Sequence, residues 1–254
     1  MARDFTFDVW RDICTAFTDT GFVPLSVHEY LLKRNSGNLP DKFVILRHDI
    51  DRRTGHALDM AQLEQELGIH STYYFRVPYT FHEDVIRQIS SMGHEIGFHY
   101  ETLSKAKGDV QKARSFFEKE LAMLRTCGDV DTICMHGRPL SSYDNRELWR
   151  SCDFQEYDIL GEAYLSVSDV CYFTDTGRSW GSTNSMRDSL LGAIDHAVVQ
   201  SSDEFLQWIS ETDQKRVYVT SHPERWAGSF GDWVVCFGMD NLMGIGKRIL
   251  RTVR

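Results

Sequence analysis

The chain has no long apolar run. None of its 254 residues fall in a stretch approaching the roughly 18 to 20 consecutive apolar side chains that a bilayer span requires, and the first residues, Met1 to Phe5, run into charge instead of an apolar secretion core. The expectation is a cytoplasmic protein without a membrane span. Cysteine is sparse as well: the six at 14, 127, 134, 152, 171 and 236 make no CxxC pair, which argues against a disulfide framework or a cysteine zinc site and for reduced core residues. A basic excess is missing too. With a formal charge of −9 there is no electrostatic reason to expect a nucleic-acid partner, since phosphate backbones reward clustered Lys and Arg. Internal repeats and low-complexity segments are also absent.

What is present suits one domain over residues 1–254, because a chain of this length and 42% hydrophobic content can bury a full core. A leading helical segment, at about 1–40, contains helix-compatible runs at 7–17 and 27–33. Then Phe43-Val44-Ile45-Leu46 reads as a buried strand that ends abruptly in Arg47-His48-Asp49-Ile50-Asp51. Helices over 56–67, 83–91, 109–127, 145–151 and 203–211 alternate with strands over 71–77, 94–99, 132–136 and 217–221. Such alternation predicts a parallel α/β sheet, open or closed into a barrel. Between 155 and 197 the pattern is less regular, with strands expected at 157–160 and 170–173 and a long loop at 175–188. The basic end, 247–254, reads as a solvated terminal helix.

In parallel α/β folds the active site lies beyond the carboxyl ends of the strands. Four predicted strands end in residues able to do chemistry: Asp49 with Asp51, His99, His136 and His222. Asp49 and Asp51, two apart on an extended segment, share a face, and two adjacent carboxylates repel unless a cation lies between them or one is protonated. Pairing with Arg47, Arg52 or Arg53 as ordinary ion pairs is an equal alternative on that motif alone. His94 and His99 fall on opposite faces of their strand, so His99 is the better ligand and His94 reads as a core histidine bonded to backbone. Either His136 or His222 alone is an ordinary turn histidine; recurrence at one end of four strands is what points to a site. The triplet Asp175-Thr176-Gly177 matches that of aspartic proteases, but those need two copies in an all-β setting.

Three motifs together resemble the NodB-homology polysaccharide deacetylases, carbohydrate esterase family 4, over about residues 43–226: Arg47-His48-Asp49-Ile50-Asp51, Gly93-His94-Glu95-Ile96-Gly97-Phe98-His99 and Ser221-His222-Pro223-Glu224-Arg225-Trp226. The resemblance implies a distorted (β/α) barrel of about seven strands. It also implies a metal-dependent deacetylase, with zinc the best-suited ion, hydrolysing an N-acetyl group on a sugar of a glycan or glycan precursor. By that resemblance Asp49 is the catalytic base, Asp51 and His99 are metal ligands, and His222 assists the leaving group. The chain departs from the family pattern where a second metal histidine is due, four residues after His99, because Leu103 stands there. His136 is the first candidate for the missing ligand and Glu101 the second. Arg138-Pro139 only partly matches the third motif, and Asp175 or Asp158 is the candidate acidic residue of the fourth. A hydrolase of a non-sugar amide or cyclic imide, or a carbohydrate-binding protein without catalysis, remains as the alternative. Oligomeric state is not legible.

Overall fold

The computed structural model describes residues 3–138, 141–181, 190, 192–195 and 198–253, with 242–253 as helical backbone only. Most of the expected loop beyond residue 181 and the side chains of the basic end at 247–254 therefore lie outside the described residues. Pro139 does too.

The chain opens with α1 (Phe7–Asp19), capped by the Thr6 hydroxyl accepting from the Val9 amide, and α2 (Val27–Asn35), which begins in a reciprocal Ser26–Glu29 capping box. Between them lies β1 (Val23–Leu25), a strand that three residues of sequence do not announce. The central strand β2 (Phe43–Ile50) is buried along its whole length, as a strand covered on both faces must be. It is longer than its apolar run, so Arg47, His48 and Asp49 belong to the strand itself. Next come α3 (Thr54–Glu66), β3 (Thr72–Phe75), α4 (Glu83–Ser91), β4 (Glu95–Tyr100), α5 (Thr102–Lys105), α6 (Val110–Arg125) and β5 (Thr132–Met135). After two 3-10 turns, Asn145–Arg150 and Phe154–Tyr157, the chain forms β6 (Gly161–Glu162), β7 (Cys171–Thr174), α7 (Ser202–Glu211), β8 (Arg216–Ser221) and the long α8 (Phe230–Val253). The strand expected at 157–160 is corrected to a 3-10 turn followed by β6. Its Asp153 side chain caps the turn by accepting from the Gln155 amide, which ties the segment into a turn.

Every pairing in the sheet is parallel, in the order β6-β5-β4-β3-β2-β8-β7. One edge of β2 is shared: β1 pairs with Phe43 to Ile45 and β3 with Arg47 to Ile50. The sheet curls into a distorted barrel whose open side is spanned by side chains. Tyr164, just after β6, meets Tyr172 of β7 with ring centroids 6.3 Å apart, and Arg47 reaches from β2 to the Tyr164 hydroxyl at 2.8 Å. Gly97 on β4 is required here, since a Cβ at that position would stand 2.2 Å from the Tyr74 ring, which crosses the interior to bond Thr132. No helix among the described residues is long and apolar enough to cross a membrane.

The outer face of β2 carries a second polar layer, against α1 and α3. His48 joins Ser221 Oγ at 2.7 Å through Nδ1 and Glu64 at 2.8 Å through Nε2, while Glu64 also accepts from Trp10, Ser71 and Tyr73. Although Ser221, His48 and Glu64 are in line like a hydrolase triad, all three are wholly buried, with no face for a substrate. Their effect is to lock β2 to β8 at the paired residues His48 and Ser221. Burial would raise the Glu64 pKa, but His48 beside it holds it down at about 2. Glu64→Ala is expected to cost about 3–5 kcal/mol, as loss of one partner in a buried charged network does. A urea midpoint lowered at unchanged m would show it; a loss under about 1 kcal/mol would mean that the network is dispensable.

Candidate active site

Because all strands run the same way, Asp49, His99, His136 and His222 arrive at one end of the barrel. His99 is the fifth residue of β4 and points inward, where its Nδ1 donates to the Cys134 carbonyl at 3.0 Å. A carbonyl can only accept, so the neutral ring keeps its lone pair on Nε2, which faces Asp51 Oδ1 at 3.6 Å and Asp49 Oδ2 at 3.8 Å. Burial above all, with Asp49 acting against it, brings the His99 pKa down to about 4. His136, immediately after β5, turns Nε2 to Asp51 Oδ1 at 3.3 Å and gives Nδ1–H to Glu101 at 3.0 Å. Ligand atoms of Asp51, His99 and His136 all lie within 4.8 Å of one another.

Asp51 Oδ1 at the middle of this group is buried and makes no hydrogen bond. A buried carboxylate oxygen facing two imidazole nitrogens without a well-aligned donor calls for a cation, either the protonated His136 ring at 3.3 Å or a metal in place of its proton. The residues therefore fit a divalent metal: one carboxylate, two imidazoles held by partners on their other nitrogens, and an open side, the donor set that suits catalytic zinc. Of the two candidates for the third ligand, the structure puts His136 on Asp51. Glu101 stands behind it, against His136 and Arg76 Nη2 at 3.0 Å. Leu103 is turned away into a small apolar cluster with Ala106, Ala113 and Leu148.

Without metal, His136 carries the cation's role itself. Burial lowers its pKa, but Asp51 and then Glu101 outweigh that and lift it to about 9 from an ordinary 6.5; the Asp51 carboxyl is held well down, burial being overridden by His136. The folded-state pKa is raised, so this contribution to stability is complete below about pH 6.5 and is lost as pH rises through about 9. A metal must displace that proton. Its affinity is then expected to rise about tenfold per pH unit between about pH 7 and 9, measured by competition with a chelator; a flat profile would show that the metal does not compete at His136.

Asp49 is held by Arg47, two residues earlier on the same strand face. Arg47 Nε and Nη2 bind the two carboxylate oxygens at 2.8 and 2.6 Å, and Nη1 and Nη2 also donate to the Tyr218 and Tyr164 hydroxyls respectively. Burial would raise the Asp49 pKa, but Arg47 and then His99 bring it to about 2. The ordinary ion-pair alternative for Asp49 is thus present, yet inside the barrel and beside His99. Arg138, the partial third-motif match, instead lies 3.9 Å from Glu101.

His222 follows β8. Its Nδ1 is 2.6 Å from Asp175 Oδ1, and the other Asp175 oxygen accepts from the His222 amide and from Trp226 Nε1. Burial and Arg225 push the His222 pKa down, but Asp175 prevails and raises it. Of the two fourth-motif candidates Asp175 is the one in the site; Asp158 ends a surface 3-10 turn. Glu224, given no role in the sequence reading beyond its place in the last motif, is also buried here. Burial and the Asp51 charge push its pKa up to about 7, and Oε2 has no hydrogen-bond partner. Only its place two residues after His222 could have signalled it. His94 stays out of the site, bonded to the Ala61 carbonyl and the Ser71 amide.

No protein-family profile and no curated protein matches the chain. Among solved structures it is similar to a CE4 family pseudoenzyme from Bacillus anthracis (12% identity, 82% of this chain and 67% of that one, TM-score 0.48). A second is the deacetylase PplD of Streptococcus pyogenes in complex with acetate (13%, 82% and 88%, TM-score 0.49). A third is a CE4 esterase of Streptococcus mutans (13%, 91% and 89%, TM-score 0.48).

Proposed function

We propose that this chain is a metal-dependent amide hydrolase that removes an N-acetyl group from a sugar of a glycan or glycan precursor. The observation that carries the reading is the convergence of Asp51 Oδ1, which accepts no well-aligned hydrogen bond, with the Nε2 atoms of His99 and His136, flanked by an Arg47-held carboxylate and an Asp175-held imidazole. Bound there, a divalent ion such as zinc supplies polarisation of the acyl oxygen and acidification of a water. Asp49 takes the proton from the attacking water. At a pKa of about 2 it is ionised at any working pH but a weak base, so Arg47 fixes its direction at the expense of basicity. His222, with Nδ1 bound to Asp175, delivers a proton from Nε2 to the amine nitrogen as the C–N bond breaks. Acetate and a free amine result. The sugar assignment rests on the three motifs, and the exposed Tyr79 ring, stacked 4.6 Å from Arg76 beside Asp51, offers an aromatic surface for it.

The test is acetate release from N-acetylglucosamine oligomers by zinc-loaded protein, with cyclic imides and non-sugar N-acetyl amides in parallel. Release from the sugars alone is the expected result. Hydrolysis confined to the other amides moves the substrate class, and a metal-bound protein that hydrolyses none but binds the oligomers is a carbohydrate-binding protein.

A further inference from the structure

A second group of ligand atoms lies where α8 crosses the start of α3. Asp232 and Cys236, four apart on α8, present their side chains on one face, and His56, in the first turn of α3, completes the group with all ligand atoms within 4.8 Å. His56 Nδ1 is committed to the Trp226 carbonyl at 2.8 Å, so the neutral ring turns the Nε2 lone pair toward Asp232 Oδ2 at 3.4 Å. In that form two electron-rich atoms face each other, the arrangement that a cation resolves. The cation now present is Arg53, with Nη2 at 2.5 Å from Asp232 Oδ1 and Nη1 at 3.0 Å from Cys236 Sγ. Its backbone sits at φ 52°, a left-handed conformation unusual for arginine, and its side chain is 31% exposed, so the guanidinium has a path to water.

We propose that His56, Asp232 and Cys236 form a second, non-catalytic divalent-metal site of zinc type, which fastens α8 to the segment carrying Asp51. One nitrogen, one carboxylate oxygen and one sulfur are donors that zinc accepts together, whereas magnesium and calcium avoid the sulfur. Binding turns the Cys236 thiol into a thiolate with release of one proton to solvent, and Arg53 leaves the group. The site shares no ligand with the Asp51–His99–His136 group and does not depend on the hydrolase reading. Arg53 is the competing cation in this arrangement, so removing it strengthens metal binding; were the cluster only an ion pair, removing it would merely weaken the fold.

The experiment is titration of the metal-free chain with zinc and with cobalt(II), whose thiolate absorption band reports a sulfur ligand. About two zinc equivalents are expected, with one lost in Cys236→Ser and in Asp232→Asn and the other lost in Asp51→Ala. The cobalt band should vanish in Cys236→Ser and persist in Cys134→Ser, the other cysteine near candidate ligands. Arg53→Gln should tighten the second equivalent about fivefold, the worth of a partly exposed ion pair of ~1 kcal/mol. Circular dichroism of each variant separates lost binding from lost fold. A wild type without a thiolate band, a band that follows Cys134, or an Arg53→Gln protein that binds more weakly overturns the proposal.

Discussion

Asp49→Asn is expected to lower turnover by about 10²- to 10⁴-fold, the worth of a positioned general base, while metal content stays close to that of the wild type. The asparagine keeps the shape and one acceptor oxygen for Arg47, but its amide cannot take a proton from water. Asp49 approaches His99 only to 3.8 Å, and both its oxygens already belong to Arg47, so it is a poor competitor for a metal position. The measurement is paired: acetate release under saturating substrate, and metal per chain after dialysis. Metal loss equal to that in Asp51→Asn would contradict the division of roles between the two carboxylates. Melting of the variant belongs in the same experiment, because Arg47 is fully buried and its charge is left without a full counter-charge.

His136→Ala should weaken metal affinity by at least about tenfold, since a first-shell ligand cannot be worth less than the 10- to 100-fold of its supporting partners. Glu101→Gln is the informative companion. Glu101 accepts from His136 Nδ1 and pairs with Arg76, and these contacts, despite burial, hold its pKa at about 2. Its loss should loosen the ring and cost no more than the loss of His136. Should Glu101→Gln release metal while His136→Ala keeps it, the two residues have exchanged roles. If neither change matters, the metal is not bound between β2, β4 and β5, and the hydrolase proposal fails with it.

The alternation of helices and parallel strands was legible because it is written in local periodicity and in caps. Helix α4 occupies the expected residues 83–91, and α6 begins at Val110 behind its N-cap Asp109, whose side chain accepts from the Lys112 amide. Strand ends were legible for the same reason, since an apolar run stopping at Asp or His marks where a buried strand meets a polar mouth. The small β1, the 3-10 turn at 154–157 and the long α8 were not. Each is set by what packs on it rather than by its own pattern. β1 is a strand because Val23 to Leu25 find the free lower edge of β2. Glu224 was missed because a carboxylate in a turn looks solvated until the fold closes over it.

By itself the sequence determined the direction of the strands, the end at which the polar residues gather and the faces of His94 and His99, because these follow from periods of 2 and 3.6 residues. Only the tertiary structure decided which of the gathered residues touch. His136 and Asp51 are 85 positions apart and Asp175 and His222 are 47 apart, and no local rule relates them. Strand pairing sets β7 beside β8, curling of the sheet brings β5 toward β2, and burial then makes each unmet lone pair costly enough to demand a particular partner.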